Sequence, residues 1–140
     1  MNAVLLDQYL SRWRHRPFAW GHADCVRFTA GWVALVTGRD PVAGSEGLYG
    51  DTTAALRLMR QEVGTADLIA ATTVVLGPPL TVPLTAALGD VVAIQTGHGP
   101  ALGLCAGPNV AVLGREGLIS CPITAAVAAW KVGDFIPHPP

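Results

Sequence analysis

The hydrophobic grain of this chain changes once, at Gly89-Asp90. Before that point apolar residues recur three and four apart, as on one face of a helix. After it they fall into short runs separated by Gly-, Pro- and Asn-bearing turns. Helices first and strands second predict an α+β fold, with N-terminal helices packed on a small C-terminal antiparallel β-sheet, not an alternating α/β chain. The 140 residues suit a single domain spanning 1–140.

The spacing predicts a first helix carrying Leu5, Leu6, Tyr9, Leu10 and Trp13 on one side, stopped by Pro17. A second helix opens at Cys25 and ends near Thr37-Gly38, with Phe28, Trp32, Val33 and Val36 inward. Residues 39–51 read as a Gly-, Asp- and Pro-rich loop. Asp51 caps a third helix whose buried side is Ala55, Leu56, Met59 and Val63, and Gly64 ends it. Residues 67–71 look helical, while the β-branched run Thr72-Thr73-Val74-Val75 argues against a long helix there. Strands are expected at Val91–Gln95, Ala101–Ala106, Val110–Leu113 and Leu118–Cys121, joined by hairpin-type turns. Thr124–Ala129 reads as a short helical turn and Trp130–Ile136 as a last strand.

Composition excludes several functions. Half the residues are apolar (51%) and only 14% are charged, which implies a well-buried chain or one that covers more surface against partners. A net charge of −1 without a basic run argues against nucleic acid. No apolar run approaches the roughly 18 residues that span a bilayer. The N-terminus has no positive region ahead of its apolar residues, so no signal peptide is expected. The three cysteines, Cys25, Cys105 and Cys121, are odd in number and far apart, which suits neither a zinc ribbon nor a redox dithiol. No metal and no cofactor are expected, and a reduced compartment is the default.

The stretch PFAWGHADCVRFT, residues 17–29, carries the chemistry. Gly21 permits a tight approach of the backbone. Asp24 is an N-cap, its carboxylate accepting free N–H groups of a first turn. Cys25 then sits where a helix begins, and the partial positive charge there stabilises a thiolate. The neighbouring Asp24 opposes that effect. Two readings of Cys25 stand side by side, a nucleophile and a small buried hydrophobe. Cys105 and Cys121 read as packing residues. Asp90 reads as a turn cap rather than a catalytic group. Trp20, in the loop before Cys25, could be core or could flank a groove.

A cysteine opening a helix, followed by a small antiparallel sheet, resembles the plan of papain-like folds. In their compact bacterial and phage branch, the NlpC/P60 cysteine peptidases, a D-C motif opens the helix. A G-D-hydrophobic strand and an H-hydrophobic-G-hydrophobic strand follow, the latter supplying the catalytic histidine. The first motif is matched by Trp20-Gly21 and Asp24-Cys25 with Phe28, the second by Gly89-Asp90-Val91-Val92. The third is matched by Ala101-Leu102-Gly103-Leu104, with Ala101 where the family has its histidine. Over nearly its full length the chain also resembles a group of short proteins found among tail genes of phages, prophages and gene-transfer agents. They share PFAWG, the DC pair, the GDVV strand, the ALG strand and a late Ala129-Trp130-Lys131-Val132.

The resemblance implies a phage-type tail-tip or baseplate component with a papain-like scaffold and a degenerate catalytic site, a pseudoenzyme acting in tail assembly or cell-wall engagement. Its partners would be other tail-tip and hub proteins, with peptidoglycan as a possible ligand, and its place the virion after assembly in the bacterial cytoplasm. The alternative is an active cysteine hydrolase that cuts peptidoglycan peptides during DNA entry. There Cys25 would attack the amide carbonyl, and Trp20 and Asp24 would flank the substrate. A base must take the thiol proton. His98, three residues before Ala101, is the candidate, with a solvated loop side chain as its plain reading. His22, His15 and His138 read as a loop polar group, part of a solvated face and a tail residue.

Overall fold

The computed structural model describes residues 3–132. Helices α1 (Ala3–Trp13), α2 (Cys25–Thr37), α3 (Thr52–Val63) and α4 (Leu68–Leu76) precede strands β1 (Val91–Thr96), β2 (Gly99–Cys105), β3 (Asn109–Gly114), β4 (Gly117–Pro122) and β5 (Ala126–Trp130). The strands form one five-stranded sheet in the order β4-β3-β2-β1-β5, with every pairing antiparallel. The α+β architecture read from the sequence is the one observed.

Both faces of the sheet are covered, which is why Val91 to Ile94 are buried without alternation. On the near face Val91, Ala93, Leu102, Leu104 and Trp130 pack with Tyr9, Phe28 and Trp32 of α1 and α2. On the far face Val92, Ile94, Cys105, Val110 and Val112 form a second cluster, overlain by Leu80, Ala86 and Ile123. Three buried polar contacts tie these layers. Trp32 Nε1 donates to Gly89 O at 2.8 Å. Tyr9 Oη donates to Phe28 O at 2.6 Å. Val132 N–H donates to Asp90 Oδ1 at 2.9 Å.

Asp90 itself is a connector. Its second oxygen accepts from Ala87 N–H at 2.8 Å and its carbonyl accepts from Cys105 N–H at 2.9 Å. Both buried ends of the carboxylate are therefore spent on holding the turn into β1 and the exit of β5. That is the capping role its place after Gly89 suggests.

Three expectations are corrected. The β-branched run does not end α4, which continues to Leu76. Asp67 caps it through Ile69 and Ala70 N–H, and the hydroxyls of Thr72 and Thr73 donate to carbonyls four residues back. Trp130 Nε1 adds a tertiary contact to Thr73 Oγ1 at 3.2 Å, so packing overrides propensity. Among the described residues the last strand is Ala126–Trp130, which ends where the sequence reading began one, and only Ile123–Ala125 make a helical turn. Alanine-rich composition suggests helix, but Ala128 and Ala129 pair with Ala93 and Val92 of β1 and lie buried in the sheet. Residues 133–136 and His138 lie outside the described residues. Finally, no residue of α3 is buried, and Leu56 faces solvent. The helix forms with its predicted caps, Asp51 and Gly64, but rests on α4 at the periphery rather than in the core.

Candidate functional site

Residues 19–23 make a closed loop in front of α2. Ala19 N–H donates to Ala23 O, and Ala23 N–H to Ala19 O, each at 2.8 Å. Gly21 at its apex has φ +79°, and a Cβ there would come within 2.5 Å of Tyr49 O. Glycine is required twice over, by the left-handed angle and by the neighbouring backbone. The chain then turns extended at Asp24 (φ −126°, ψ 177°) and enters α2 at Cys25.

Asp24 is 2% exposed. Oδ1 accepts from Arg27 N–H at 2.8 Å, the capping bond expected from the sequence. Oδ2 accepts from Gly21 N–H at 2.9 Å and from Tyr49 Oη at 2.6 Å. Sequence reasoning put Asp24 among the substrate contacts. The structure instead commits its carboxylate to three internal donors, so its role is to build the loop. Desolvation and the Asp24 carboxylate raise the Tyr49 hydroxyl well above the usual phenol range. Tyr49 therefore stays protonated and donates.

Cys25 is half-buried and packs against the near-face cluster. The main-chain N–H groups of Leu102, Cys25 and Val26 act on the sulfur and lower its pKa, as donors do to an anion. Burial outweighs them and pushes the Cys25 thiol up, with Asp24 adding in the same direction. The helix start thus supplies the donors read from the sequence, and desolvation reverses the net effect. Cys25 is a protonated thiol at neutral pH.

The second strand lies against α2, with Leu102 in the cluster that Cys25 packs on. Ala101, the neighbouring position, packs with the far-face cluster. His98 lies in the two-residue turn of the β1–β2 hairpin, where Thr96 pairs with Gly99. Its side chain is exposed and its N–H donates to Thr96 Oγ1 at 3.1 Å. At about 3.4 Å per residue, His98 stands some four residues, or about 14 Å, along the strand from Leu102. Among the described residues no hydrogen bond joins His98 to Cys25, and the turn does not fold it back. His22 is exposed, its Nδ1 3.8 Å from Glu46 Oε1. His15 is exposed beside Arg14 and Glu116, just after the end of α1. Trp20 is 37% exposed and stands edge-on to Phe18 (4.9 Å between centroids) and Tyr49 (6.4 Å). It flanks the site, while Trp32 is core. Cys105, fully buried, donates weakly to Gly107 O and Ala86 O.

Two site residues escaped the sequence reading. Tyr49 closes the Asp24 network from a loop 25 residues away. Arg27 reaches that same loop, donating to Val42 O at 3.2 Å, Ser45 Oγ at 3.0 Å and Glu46 Oε2 at 3.3 Å. The one available signal was Arg27 on an otherwise apolar helix, which had to find a partner.

Among the described residues no three His, Cys, Asp or Glu side chains gather as a metal site requires, and no helix is long and apolar enough to cross a membrane. A domain family of unknown function, DUF6950, matches residues 3–132. The chain belongs to this family. The match runs through the whole described structure, so the helices, the Cys25 loop and the sheet are one family unit. No curated protein matches the chain.

Proposed function

We propose that this chain is a structural component of a phage-type tail tip, built on a papain-like scaffold of the NlpC/P60 type whose catalytic site has lost its base. The observation that carries this reading is Cys25 at the head of α2, packed on the near-face cluster with Leu102 and Leu104 of β2, a strand without a histidine. A cysteine hydrolase needs an imidazole at that strand to take the thiol proton. Ala101 has no such group and packs on the opposite face of the sheet from α2, and His98 stands at the exposed turn. The raised pKa of Cys25 fits a sulfur that no longer serves as a nucleophile. Large apolar side chains left in solvent, Val74 at 65% and Leu48 at 63%, suit a protein that is covered in an assembly.

One feature favours the alternative, an active hydrolase of peptidoglycan peptides. The main-chain N–H groups of Leu102, Cys25 and Val26 each act to lower the thiol pKa, and donors of that kind stabilise an oxyanion in acyl transfer. A single pair of experiments separates the readings. Tails lacking this chain are complemented with the wild-type protein or with Cys25→Ala, and both proteins are incubated with peptidoglycan stem peptides. The scaffold reading expects equal restoration of infectious tails and no cleavage. Cleavage that disappears with Cys25→Ala, or failure of a well-folded Cys25→Ala to restore tails, overturns it.

A further inference from the structure

The geometry points to residues 41–49 as a strap that closes over the start of α2 and governs access to Cys25. This inference concerns access alone and stands whether or not a bond is cut there. The strap is fastened at three points that bracket Cys25 along the chain. Gly47 N–H donates to Gly21 O at 3.0 Å. Tyr49 Oη donates to Asp24 Oδ2 at 2.6 Å. The Arg27 guanidinium donates to Val42 O, Ser45 Oγ and Glu46 Oε2. These contacts reach residues 21, 24 and 27, on either side of position 25.

What the strap lacks is an apolar anchor. None of residues 41–49 is buried, and Leu48 points into solvent. Its remaining backbone bonds are local turns, Ala43 to Asp40, Ser45 to Val42 and Leu48 to Ser45. A segment with few buried apolar contacts, held by polar clasps at its ends, opens at a lower free energy than the core. Gly44 and Gly47, both at positive φ, give it the backbone freedom to lift. The closed strap seats Tyr49 on the carboxylate of Asp24, the residue next to Cys25, and Cys25 is only partly exposed. Lifting residues 41–49 removes Tyr49 and admits solvent to Cys25 without unfolding the sheet beneath.

The test reads Cys25 alone, in a Cys105→Ala, Cys121→Ala background. The rate of iodoacetamide modification is measured across pH for this protein and for added Tyr49→Phe, Arg27→Met and both. Amide exchange of Gly47 and Val92 is followed in parallel. Each clasp variant is expected to raise the Cys25 rate about tenfold, and the pair to raise it further, with Gly47 exchange rising in step and Val92 exchange unchanged. In the background protein itself, Cys25 modification and Gly47 exchange should report one opening free energy, lower than that of Val92. Unchanged Cys25 rates in both clasp variants overturn the strap. So does a rise matched by Val92, which is global unfolding, or a background in which Cys25 opens only with Val92.

Discussion

Tyr49 Oη and Asp24 Oδ2 meet at 2.6 Å across 25 residues of chain. That bond joins the loop after α2 to the cap that starts α2, with Cys25 between them. The carboxylate also holds Gly21 and Arg27 N–H. Asp24→Ala is therefore expected to cost about 2–4 kcal/mol, a lost cap plus buried donors left unpaired. Urea unfolding measures it. A loss below about 1 kcal/mol would mean that water replaces all three bonds.

Asp24→Asn keeps the shape and removes the charge. Because Asp24 acts on Cys25 to raise the thiol pKa, the variant is expected to lower it. The inflection of the alkylation rate against pH reads this directly. A shift upward would show that the donors lost from Asp24 matter more to the sulfur than its charge does.

Stability should fall at alkaline pH with a share owed to Cys25. An unfolded cysteine loses its proton near pH 8.5, at about the usual thiol value. The folded pKa is higher, so the folded state binds more protons above that pH and stability declines with rising pH. The contribution is whole below about pH 8.5 and is lost as pH climbs through the folded value. Tyr9, pushed up to about 12 by burial, adds a decline of the same sign that starts near pH 10. Cys25→Ala should flatten the first part of the curve relative to wild type. Cys105, also raised by burial, contributes with the same sign, so the comparison is made in a Cys105→Ala background. Parallel curves for the two proteins would contradict the raised Cys25 value.

Trp32→Phe removes the bond to Gly89 O, where the helical layer is stitched to the head of the sheet. A cavity and an unsatisfied carbonyl should together cost about 2–4 kcal/mol. Thermal unfolding monitored on the remaining tryptophans gives the value. A loss under about 1 kcal/mol would show the site collapsing around phenylalanine.

Gly103→Ala and Gly97→Ala form a matched pair. A Cβ at Gly103 would lie 2.5 Å from Ala111 O and within 2.9 Å of Val110 and Val112 side chains. Overpacking there should cost about 2–3 kcal/mol by prising β2 from β3. At Gly97 a Cβ meets nothing within 4 Å, and the change should stay within about 0.5 kcal/mol. Equal effects would refute the packing assigned to the second strand.

The periodicity switch at Gly89-Asp90, the caps Asp24, Asp51 and Asp67 and the turn glycines all act within a few residues. The sequence by itself therefore determined three helices followed by antiparallel strands, left the segment of α4 open, and placed Cys25 at the head of α2. Tertiary structure decided the rest. It kept Thr72 to Val75 helical by giving Thr73 a partner in Trp130, and it drew Ala126, Ala128 and Ala129 into a strand by pairing them with β1. It also set the state of Cys25. Helix-start donors favour a thiolate locally, but the desolvation that prevails arises from the layers closing around the sulfur. Burial and long-range hydrogen bonds depend on which distant segments meet, and no local pattern in a single chain encodes that Tyr49 will meet Asp24.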